Sequence, residues 1–289
     1  MTLVSCWVRQ SGNALEAVVA SDSRLSGGFA LDGAQKILPV CGGRFALAFS
    51  GDANVSYPLF IHALTFSESY GRAQSGALDV TDFADKLQSI FQGYADQLKD
   101  AVETPAEFFS RTNFVLVGWS WKFSSFRMYH YRFTCGAWEK GRVMPTPWQT
   151  ASGTFSGVIK MIGTNAKKVV GEMRANFATR TLSTLNLEPL EFLWDRLENI
   201  RANRAGGSVG GPIQIVKCYP YLRALPFAVS WPDEGQTYLA GRKLETYEKV
   251  QYPIISRSST GFDTAYPQVT HGKSARDARL HAAERTTIS

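Results

Sequence analysis

The sequence lacks the long apolar runs that membrane-spanning helices need. Its 289 residues contain no uninterrupted stretch of about 18 apolar residues, and the first residues do not combine a charged region with an apolar one. We therefore expect no membrane span, no secretory signal and a cytoplasmic location. The apolar fraction of 44% is ordinary for a globular protein with a core of its own.

Cysteine is also scarce. The four cysteines are scattered, form no C-x-x-C motif and have no histidine at the spacing of a metal site: Cys6, Cys41, Cys135 and Cys218. Three of the four lie within or at the end of apolar, strand-like runs, where a free thiol behaves as a small buried hydrophobe. We expect buried free cysteines, no metal site and no cofactor.

Positive charge is present but is not concentrated. The net charge of +6 and the pI of about 9.1 are compatible with nucleic-acid binding. Lysine and arginine are nevertheless spread along the chain, and most aromatic residues lie inside periodic apolar segments. We therefore predict that the protein does not bind nucleic acid.

The chain does contain two apolar hairpin patterns near its start. Residues 3–8 and 15–20 are rich in valine, leucine and tryptophan, and they flank a turn-forming Gln-Ser-Gly-Asn cluster. Residues 36–41 and 45–50 flank Gly42 and Gly43, which supply the positive φ that a two-residue hairpin turn requires. This pattern predicts two consecutive β-hairpins.

The rest of the chain switches between helical and strand patterns. Apolar residues at three- and four-residue steps predict helices, and short alternating runs predict strands. The predicted helices cover residues 52–71, 80–102, a segment from 166, and 189–202. The predicted strands cover residues 113–122, 125–134, 137–145, 157–163 and 213–218, with one or two edge strands within 238–255. Residues 145–156 are predicted to form a loop.

Two helices directly after two hairpins indicate a layered α+β fold. Each sheet of such a fold needs helices on one face and the second sheet on the other. We predict a four-layer αββα sandwich of two antiparallel sheets flanked by helices, in a single domain over residues 1–269. Residues 270–289 are polar and nearly free of large apolar side chains, which predicts a disordered tail.

Candidate chemistry lies at the first residues. Removal of Met1 would leave Thr2 with a hydroxyl and a free α-amine, whose pKa of about 7.7–8.0 allows it to take the hydroxyl proton. A lysine ammonium nearby lowers that pKa by like-charge repulsion, and an aspartate holds the lysine in place; Lys36 and Asp22 are available. Gly51, between a strand and a predicted helix, can offer a backbone N–H to an oxyanion.

These residues resemble those of the proteasome β-subunit-like N-terminal-nucleophile hydrolases, a family that includes bacterial two-ring protease subunits. The resemblance rests on the string VVASDSR around Asp22, on QKI at Lys36 and on the strand that ends in SGDA at Gly51. It continues in MIGTNA around Thr164 and in SVGGPIQIV, and it fades after Pro220.

The resemblance implies a threonine peptidase that assembles into a homo-oligomeric ring and needs no cofactor. Its site would consist of the nucleophile, two charge partners, a supporting arginine, an oxyanion donor and a neighbour of the N-terminal amine: Thr2, Asp22, Lys36, Arg24, Gly51 and Thr164. Two structural alternatives remain open at this point. Thr164 would serve only as the N-cap of the helix from 166, and Arg24 with Asp22 would form an ion pair that closes the second strand.

The leading functional hypothesis is a hydrolase that cleaves amide bonds, peptide bonds first of all, through an ester on Thr2. The alternative is a catalytically inactive proteasome-like subunit that builds a shell or binds a partner. Residues 203–209 favour this alternative, because they hold no carboxylate where the family has an aspartate before its late glycine pair. A third hypothesis is an acylase that acts on a small molecule, which the same residues would serve equally.

Overall fold

The structure is a computed structural model that describes residues 2–12, 14–26, 29–99, 104–203, 207–221, 223–231, 235–259 and 261–267. Within these ranges the chain is a mixed α/β fold with several antiparallel sheets and six helices. The strands are β1 (Leu3–Ser11), β2 (Ala14–Ser21), β3 (Arg24–Ser26), β4 (Ala30–Asp32), β5 (Ile37–Val40), β6 (Phe45–Ser50), β7 (Asn113–Ser120), β8 (Ser125–Thr134), β9 (Ala137–Arg142), β10 (Thr146–Thr150), β11 (Gly153–Gly157), β12 (Ile159–Gly163), β13 (Gln214–Cys218), β14 (Leu225–Trp231), β15 (Gln236–Leu239), β16 (Arg242–Lys243), β17 (Ile254–Ser258) and β18 (Gly261–Ala265). The helices are α1 (Ala53–Ser69), α2 (Gly71–Gln74), α3 (Val80–Ala95), α4 (Pro105–Ser110), α5 (Ala166–Ala178) and α6 (Glu188–Ala202).

The first predicted hairpin is confirmed. β1 and β2 pair antiparallel, from Val4 opposite Ser21 to Ser11 opposite Ala14. Both strands extend further into the predicted turn than expected. The turn of this hairpin therefore lies at the end remote from Thr2.

The second predicted hairpin is confirmed with a longer turn. β5 and β6 pair antiparallel, and residues 41–44 connect them. Cys41 adopts a positive φ together with Gly42 and Gly43, so the turn is not the two-residue type that the glycine pair predicted. Between the two hairpins, β3 and β4 form a separate two-stranded ribbon that the sequence analysis did not predict.

The largest sheet contains both ends of the described chain. Its strand order is β12-β1-β2-β13-β14-β15-β16, and β17 pairs with β14 and β18. The pairing of β14 with β17 is parallel, so the prediction of purely antiparallel sheets is wrong at this edge. Between β14 and β17 the chain passes through β15 and β16. It then enters β17 in the same direction as β14, so β14 and β17 are parallel. β14 itself was missed because prolines and aromatic residues obscure its alternation.

The second large sheet is antiparallel and has the order β5-β6-β7-β8-β9. Three of its strands follow one another in the chain, as the alternating runs after residue 112 predict. Helix α1 follows β6, a strand of this sheet, along the chain. Asp52 caps the first turn of α1, because its carboxylate accepts a hydrogen bond from the N–H of Asn54 at 2.9 Å.

Buried apolar side chains form three clusters. One joins β5–β9 to α1 and α3, with Phe49 and Phe91 among its members. Another joins the largest sheet to α5 and α6, with Trp7 and Leu193 among its members. The third contains residues of both large sheets, including Val19 of β2. Each large sheet thus contributes to two clusters, one with helices and one with the other sheet.

The predicted helix over 80–102 is shorter than expected. α3 ends at Ala95, and the N–H of Gln97 bonds to the carbonyl oxygen of Tyr94 in a tighter turn. Leu98 still packs against the aromatic cluster, which explains why the apolar pattern continues past the helix. Residues 100–103 lie outside the described residues.

The predicted loop over 145–156 is a β-hairpin. β10 and β11 pair along their whole length, and Trp148 is buried against Phe177 of α5, with ring centroids 5.5 Å apart. Threonine, serine and glycine dominate this segment, and the hairpin is held by Trp148, by Phe155, which packs against the same apolar cluster, and by hydrogen bonds to Arg180 and Leu182.

Three of the four cysteines are buried and free, as predicted, whereas Cys135 is exposed. Among the described residues, no helix is both long enough and apolar enough to cross a membrane. The predicted tail over 270–289 lies outside the described residues, and the single domain over 1–269 stays a prediction.

Candidate active site

The open end of the first hairpin places Thr2 beside Asp22. The N–H of Leu3 donates to Oδ1 of Asp22 at 2.9 Å, and the N–H of Asp22 donates to the carbonyl oxygen of Leu3 at 3.3 Å. Thr2 is the residue immediately before this bonded pair. The carboxylate is therefore held next to the candidate nucleophile by the backbone of β1.

Asp22 is the centre of a buried polar cluster. Its carboxylate accepts from Lys36 Nζ at 3.1 Å, from the N–H of Gly210 at 3.0 Å and from the N–H of Arg24 at 3.3 Å. Neither the Asp22 nor the Lys36 side chain is exposed. Burial raises the pKa of Asp22 and lowers the pKa of Lys36, while the attraction between the two groups and the backbone N–H donors oppose these shifts.

Gln214 ties the elements of this cluster together, and sequence reasoning missed it. The N–H of Lys36 donates to its Oε1 at 3.0 Å, and its Nε2 donates to the carbonyl oxygens of Asp22 at 3.2 Å and Ala34 at 2.7 Å. The side chain is nearly fully buried. The available signal was an uncharged polar residue at the start of the apolar strand β13.

Arg24 joins the cluster through its backbone and not through its guanidinium. The guanidinium forms a two-pronged ion pair with Asp32, at 2.7 and 2.9 Å. The alternative of an Asp22–Arg24 ion pair is therefore wrong. The carbonyl oxygen of Arg24 accepts a hydrogen bond from Lys36 Nζ, which gives the lysine a second anchor besides Asp22.

Thr164 is not the N-cap of α5. Asn165 occupies that position at a φ of 55° and makes no side-chain capping bond. The N–H of Thr164 instead donates to the carbonyl oxygen of Thr2 at 2.9 Å. Thr164 Oγ1 is buried and has no hydrogen-bond partner among the described residues.

Gly51 lies where β6 ends and α1 is about to begin. Its φ is 120°, and a Cβ at this position would overlap the carbonyl oxygen of Arg111. Glycine is thus required by both the backbone conformation and the space. The N-terminal end of α1, with its partial positive charge, begins two residues later.

A cavity of about 600 Å³ opens at these residues. It is lined by Thr2, Gly51 and Thr164 together with Leu25, Ser26, Phe29, Ser50, Asp52, Ala53, Asn54, Arg111, Asn113 and Gly163. Thr2 Oγ1 is buried at this cavity and has no hydrogen-bond partner among the described residues. The structure therefore separates the six predicted residues into a cavity group and a buried charge cluster, and Leu3 connects the two.

Sequence reasoning missed several residues of this wall. Ser50 was detectable only as the neighbour of Gly51. Asn113 and Arg111 are distant in the chain, and only the pairing of β6 with β7 brings them here. β3 contributes Leu25, and Phe29 lies immediately before β4. Both strands are too short to show a pattern.

A second cavity, of about 640 Å³, shares Arg24 and Gly210 with the charge cluster. The described residues that line it include no serine, threonine, cysteine or histidine. Its one hydroxyl-bearing residue among the described lining residues is Tyr238, so it offers no aliphatic hydroxyl or thiol of the kind that Thr2 presents. Within the described ranges, no group of three or more histidine, cysteine, aspartate or glutamate residues is arranged to hold a metal ion.

No protein-family model matches this chain, and no curated protein gives a significant match to it.

Proposed function

We propose that this protein is a proteasome β-subunit-like N-terminal-nucleophile hydrolase that cleaves amide bonds, peptide bonds in particular, with Thr2. One observation carries the proposal. The hydroxyl of Thr2 is unpaired among the described residues and lies at a cavity, and the next residue is bonded to the Asp22–Lys36 ion pair. Such chemistry needs a nucleophile at a cavity, a charged pair close to the nucleophile and a glycine beside it.

The packing supports the four-layer αββα sandwich of this family. The third apolar cluster joins the two large sheets, and each of the other two joins one sheet to helices. This pattern corresponds to two sheets face to face with helices outside. The resemblance supports assembly into a homo-oligomeric ring.

The proposed reaction has two steps. In the first, the α-amine of Thr2 takes the proton of the Thr2 hydroxyl, and Oγ1 forms a bond to the carbonyl carbon of the substrate. The N–H of Gly51 stabilises the oxyanion, the C–N bond breaks, and the proton passes to the leaving amine. In the second, water attacks the ester, restores the hydroxyl and releases the acid.

Lys36 has a tuning role in this scheme. In this scheme its ammonium, which is linked to the residue after Thr2 through Asp22, favours the alkoxide and lowers the pKa of the Thr2 α-amine by like-charge repulsion. Asp22 and the carbonyl oxygen of Arg24 keep the ammonium in place. Thr164 positions Thr2 through the hydrogen bond to its carbonyl oxygen.

Intact-protein mass before and after incubation with a peptide epoxyketone tests the proposal, because this electrophile reacts with both the hydroxyl and the amine of an N-terminal threonine. We expect loss of Met1 and a single adduct that maps to Thr2. Thr2→Ala, which keeps a small residue after Met1 and removes the hydroxyl, should give no adduct. Thr81→Ala, a threonine at the start of α3, should react like the unmodified protein.

A retained Met1 and no adduct would overturn the proposal and favour the inactive subunit, which the absence of a carboxylate in residues 203–209 already supports. If the adduct forms, the rates of hydrolysis of a peptide panel and of a panel of small N-acyl compounds are compared. Faster hydrolysis of the peptides indicates a peptidase, and faster hydrolysis of the N-acyl compounds indicates an acylase.

A further inference from the structure

The wall of the Thr2 cavity contains a pair of uncharged polar residues on adjacent strands. Ser50, the last residue of β6, lies directly opposite Asn113, the first residue of β7. Side chains directly opposite each other in an antiparallel pair share a face, with Cβ atoms about 4.5–5.5 Å apart. Both residues line the cavity that contains Thr2. A substrate group that enters there meets the two side chains together.

This face points between the two large sheets. Strand alternation puts Ser50 on the same side as Ala46 and Ala48, and Asn113 on the same side as Val115 and Val117. All four of these neighbours belong to the apolar cluster between the sheets. At the cavity end of this face, Ser50 and Asn113 replace the apolar residues, and His130 and Arg132 of β8 lie on the same face opposite Val115 and Asn113.

The Ser50 hydroxyl lacks a partner. The residue is 1% exposed, and its Oγ makes no hydrogen bond among the described residues. A buried hydroxyl without a partner loses its hydrogen bonds to water and gains none in the fold, so its presence at a cavity indicates a group that meets a partner there.

His130 fixes the orientation of Asn113. Its Nε2 lies 3.0 Å from Oδ1 of Asn113, and an amide oxygen only accepts, so Nε2 carries the hydrogen. Burial, Lys160 and Arg132 lower the pKa of His130 to about 4, and the ring is therefore neutral near pH 7. With Oδ1 held by the ring, Nδ2 of Asn113 remains, and it has no hydrogen-bond partner among the described residues.

We propose that Ser50 and Asn113 select substrates with a carboxamide side chain, glutamine or asparagine, on the acyl side of the bond that Thr2 cleaves. Nδ2 of Asn113 donates to the carboxamide oxygen, and the carboxamide N–H₂ donates to Oγ of Ser50. His130 is a positioning residue that keeps Asn113 turned towards the cavity. This inference rests on the proposed function of Thr2.

The charges at the cavity are consistent with a neutral polar group. Asp52 contributes a carboxylate to the cavity wall, and this carboxylate already accepts a hydrogen bond from the N–H of Asn54 as the cap of α1. Arg111, its lining cation, is exposed at the end of α4. An apolar side chain would leave both Ser50 and Asn113 unpaired, and sites built to hydrogen-bond a substrate strongly reject analogues that lack the bonding group.

The test compares peptide substrates that differ only in the residue before a fluorogenic leaving amine: glutamine, asparagine, leucine or glutamate. Leucine has the shape of asparagine, and glutamate has the shape of glutamine. We expect kcat/KM for the better carboxamide substrate to exceed that for leucine and for glutamate by at least about 100-fold. This comparison uses the unmodified full chain, so it does not depend on any variant folding.

Variants then assign the preference to residues. Ser50→Ala and Asn113→Ala should each lower the carboxamide-to-leucine ratio at least about tenfold, because the carboxamide loses one hydrogen bond while leucine no longer leaves that polar group unpaired. Ser69→Ala, at the exposed end of α1, is the matched control and should leave the ratio unchanged. His130→Leu should lower the carboxamide-to-leucine ratio. His130→Gln, which keeps a donor for Oδ1 of Asn113, should restore this ratio. A merely structural histidine would change the carboxamide rate and the leucine rate together.

The outcomes are separable. Cleavage of leucine as fast as either carboxamide, with normal epoxyketone labelling of Thr2, overturns the carboxamide inference and leaves the proposed function intact. An unchanged ratio in both Ser50→Ala and Asn113→Ala also overturns it. Absence of both labelling and cleavage overturns the proposed function, and the carboxamide inference with it.

Discussion

The N–H of Thr164 donates to the carbonyl oxygen of Thr2 at 2.9 Å and so joins the start of β1 to the loop between β12 and α5. Gly163 makes this approach feasible. Its φ is 115°, and a Cβ on it would overlap the carbonyl oxygen of Thr2. The position of the candidate nucleophile therefore depends on a residue that has no side chain.

Gly163→Ala should destabilise the protein and displace Thr2. The positive φ and the overlap with backbone atoms together predict a loss of about 2 kcal/mol or more in the free energy of unfolding. Epoxyketone labelling of Thr2 should slow at least about tenfold, because tenfold in rate corresponds to only about 1.4 kcal/mol. Urea denaturation and labelling kinetics measure the two effects.

Gly171→Ala is the matched control for this substitution. Gly171 lies in α5, with nothing within 4 Å of an added Cβ. Alanine should stabilise the helix there by about 0.5–1 kcal/mol and leave labelling unchanged. Equal effects of the two substitutions would show that the Gly163 position is not special.

Lys36→Met should strongly destabilise the fold. The substitution leaves the Asp22 carboxylate buried without its cation, and removal of one partner of a buried pair lowers the free energy of unfolding by about 3–5 kcal/mol. Lys86→Met, on the exposed side of α3, should change it by about 0.5 kcal/mol or less. Both values come from chemical denaturation at neutral pH.

The Lys36 effect should depend on the charge of Asp22. Lys36→Met should therefore lower the free energy of unfolding less in Asp22→Asn than in the unmodified protein. The difference between the two effects should be at least about 1 kcal/mol. Strict additivity of the two substitutions would contradict a direct charge interaction between the residues.

His130 should make the protein less stable in mild acid. Its pKa is lowered to about 4 in the fold by burial, Lys160 and Arg132, against 6.5 for an unperturbed histidine. Between these values the unfolded chain binds a proton that the folded chain does not, so the free energy of unfolding falls as the pH is lowered from 6.5 to 4. The full contribution is about 3 kcal/mol, and most of it is lost by the time the pH reaches the folded pKa.

A comparison with His130→Gln isolates this contribution, since all other titrating groups are retained. Between pH 7.5 and 4.5 the unmodified protein should lose about 2 kcal/mol more stability than the variant. Parallel stability curves for the two proteins would mean that His130 titrates normally.

Arg24→Gln should have little effect on either stability or labelling. The ion pair of Arg24 with Asp32 involves a carboxylate whose side chain is 42% exposed, and pairs of this kind contribute about 1 kcal/mol or less. The cluster uses the backbone N–H and carbonyl oxygen of Arg24, which the substitution retains. Arg132→Gln, which breaks an exposed pair with Glu139, is the control. A labelling rate that falls tenfold only in Arg24→Gln would show that the guanidinium itself acts on the site.

Local patterns predicted much of the framework around the candidate site. The two N-terminal hairpins are visible because each strand is a compact apolar run bounded by turn residues. Thr2, Asp22, Lys36 and Gly51 each stand at the end of such a run, and hairpin closure brings strand ends together. Their proximity therefore followed from short-range pairing. Thr164 was found by its motif, although its role as a helix cap was wrong.

Other features were invisible because their causes are remote in the chain. The β10–β11 hairpin is anchored by Trp148 and Phe155, which pack against an apolar cluster that includes residues of α5. β17 becomes parallel to β14 because the intervening strands reverse the chain. The side chain of Arg24 turns to Asp32 because the short ribbon of β3 and β4 places them opposite each other.

The strands near the N-terminus and the chemical groups at their ends are predictable from local residue patterns, because strand formation and hairpin turns depend on neighbouring residues. The surroundings of Thr2 are not predictable in this way. The pairing of Ser50 with Asn113, the bond from Thr164 and the contact of His130 with Asn113 join segments that no local pattern relates. These contacts matter for stability because the groups are buried. A polar group buried between the sheets has lost its hydrogen bonds to water and must find a partner within the fold or in the substrate.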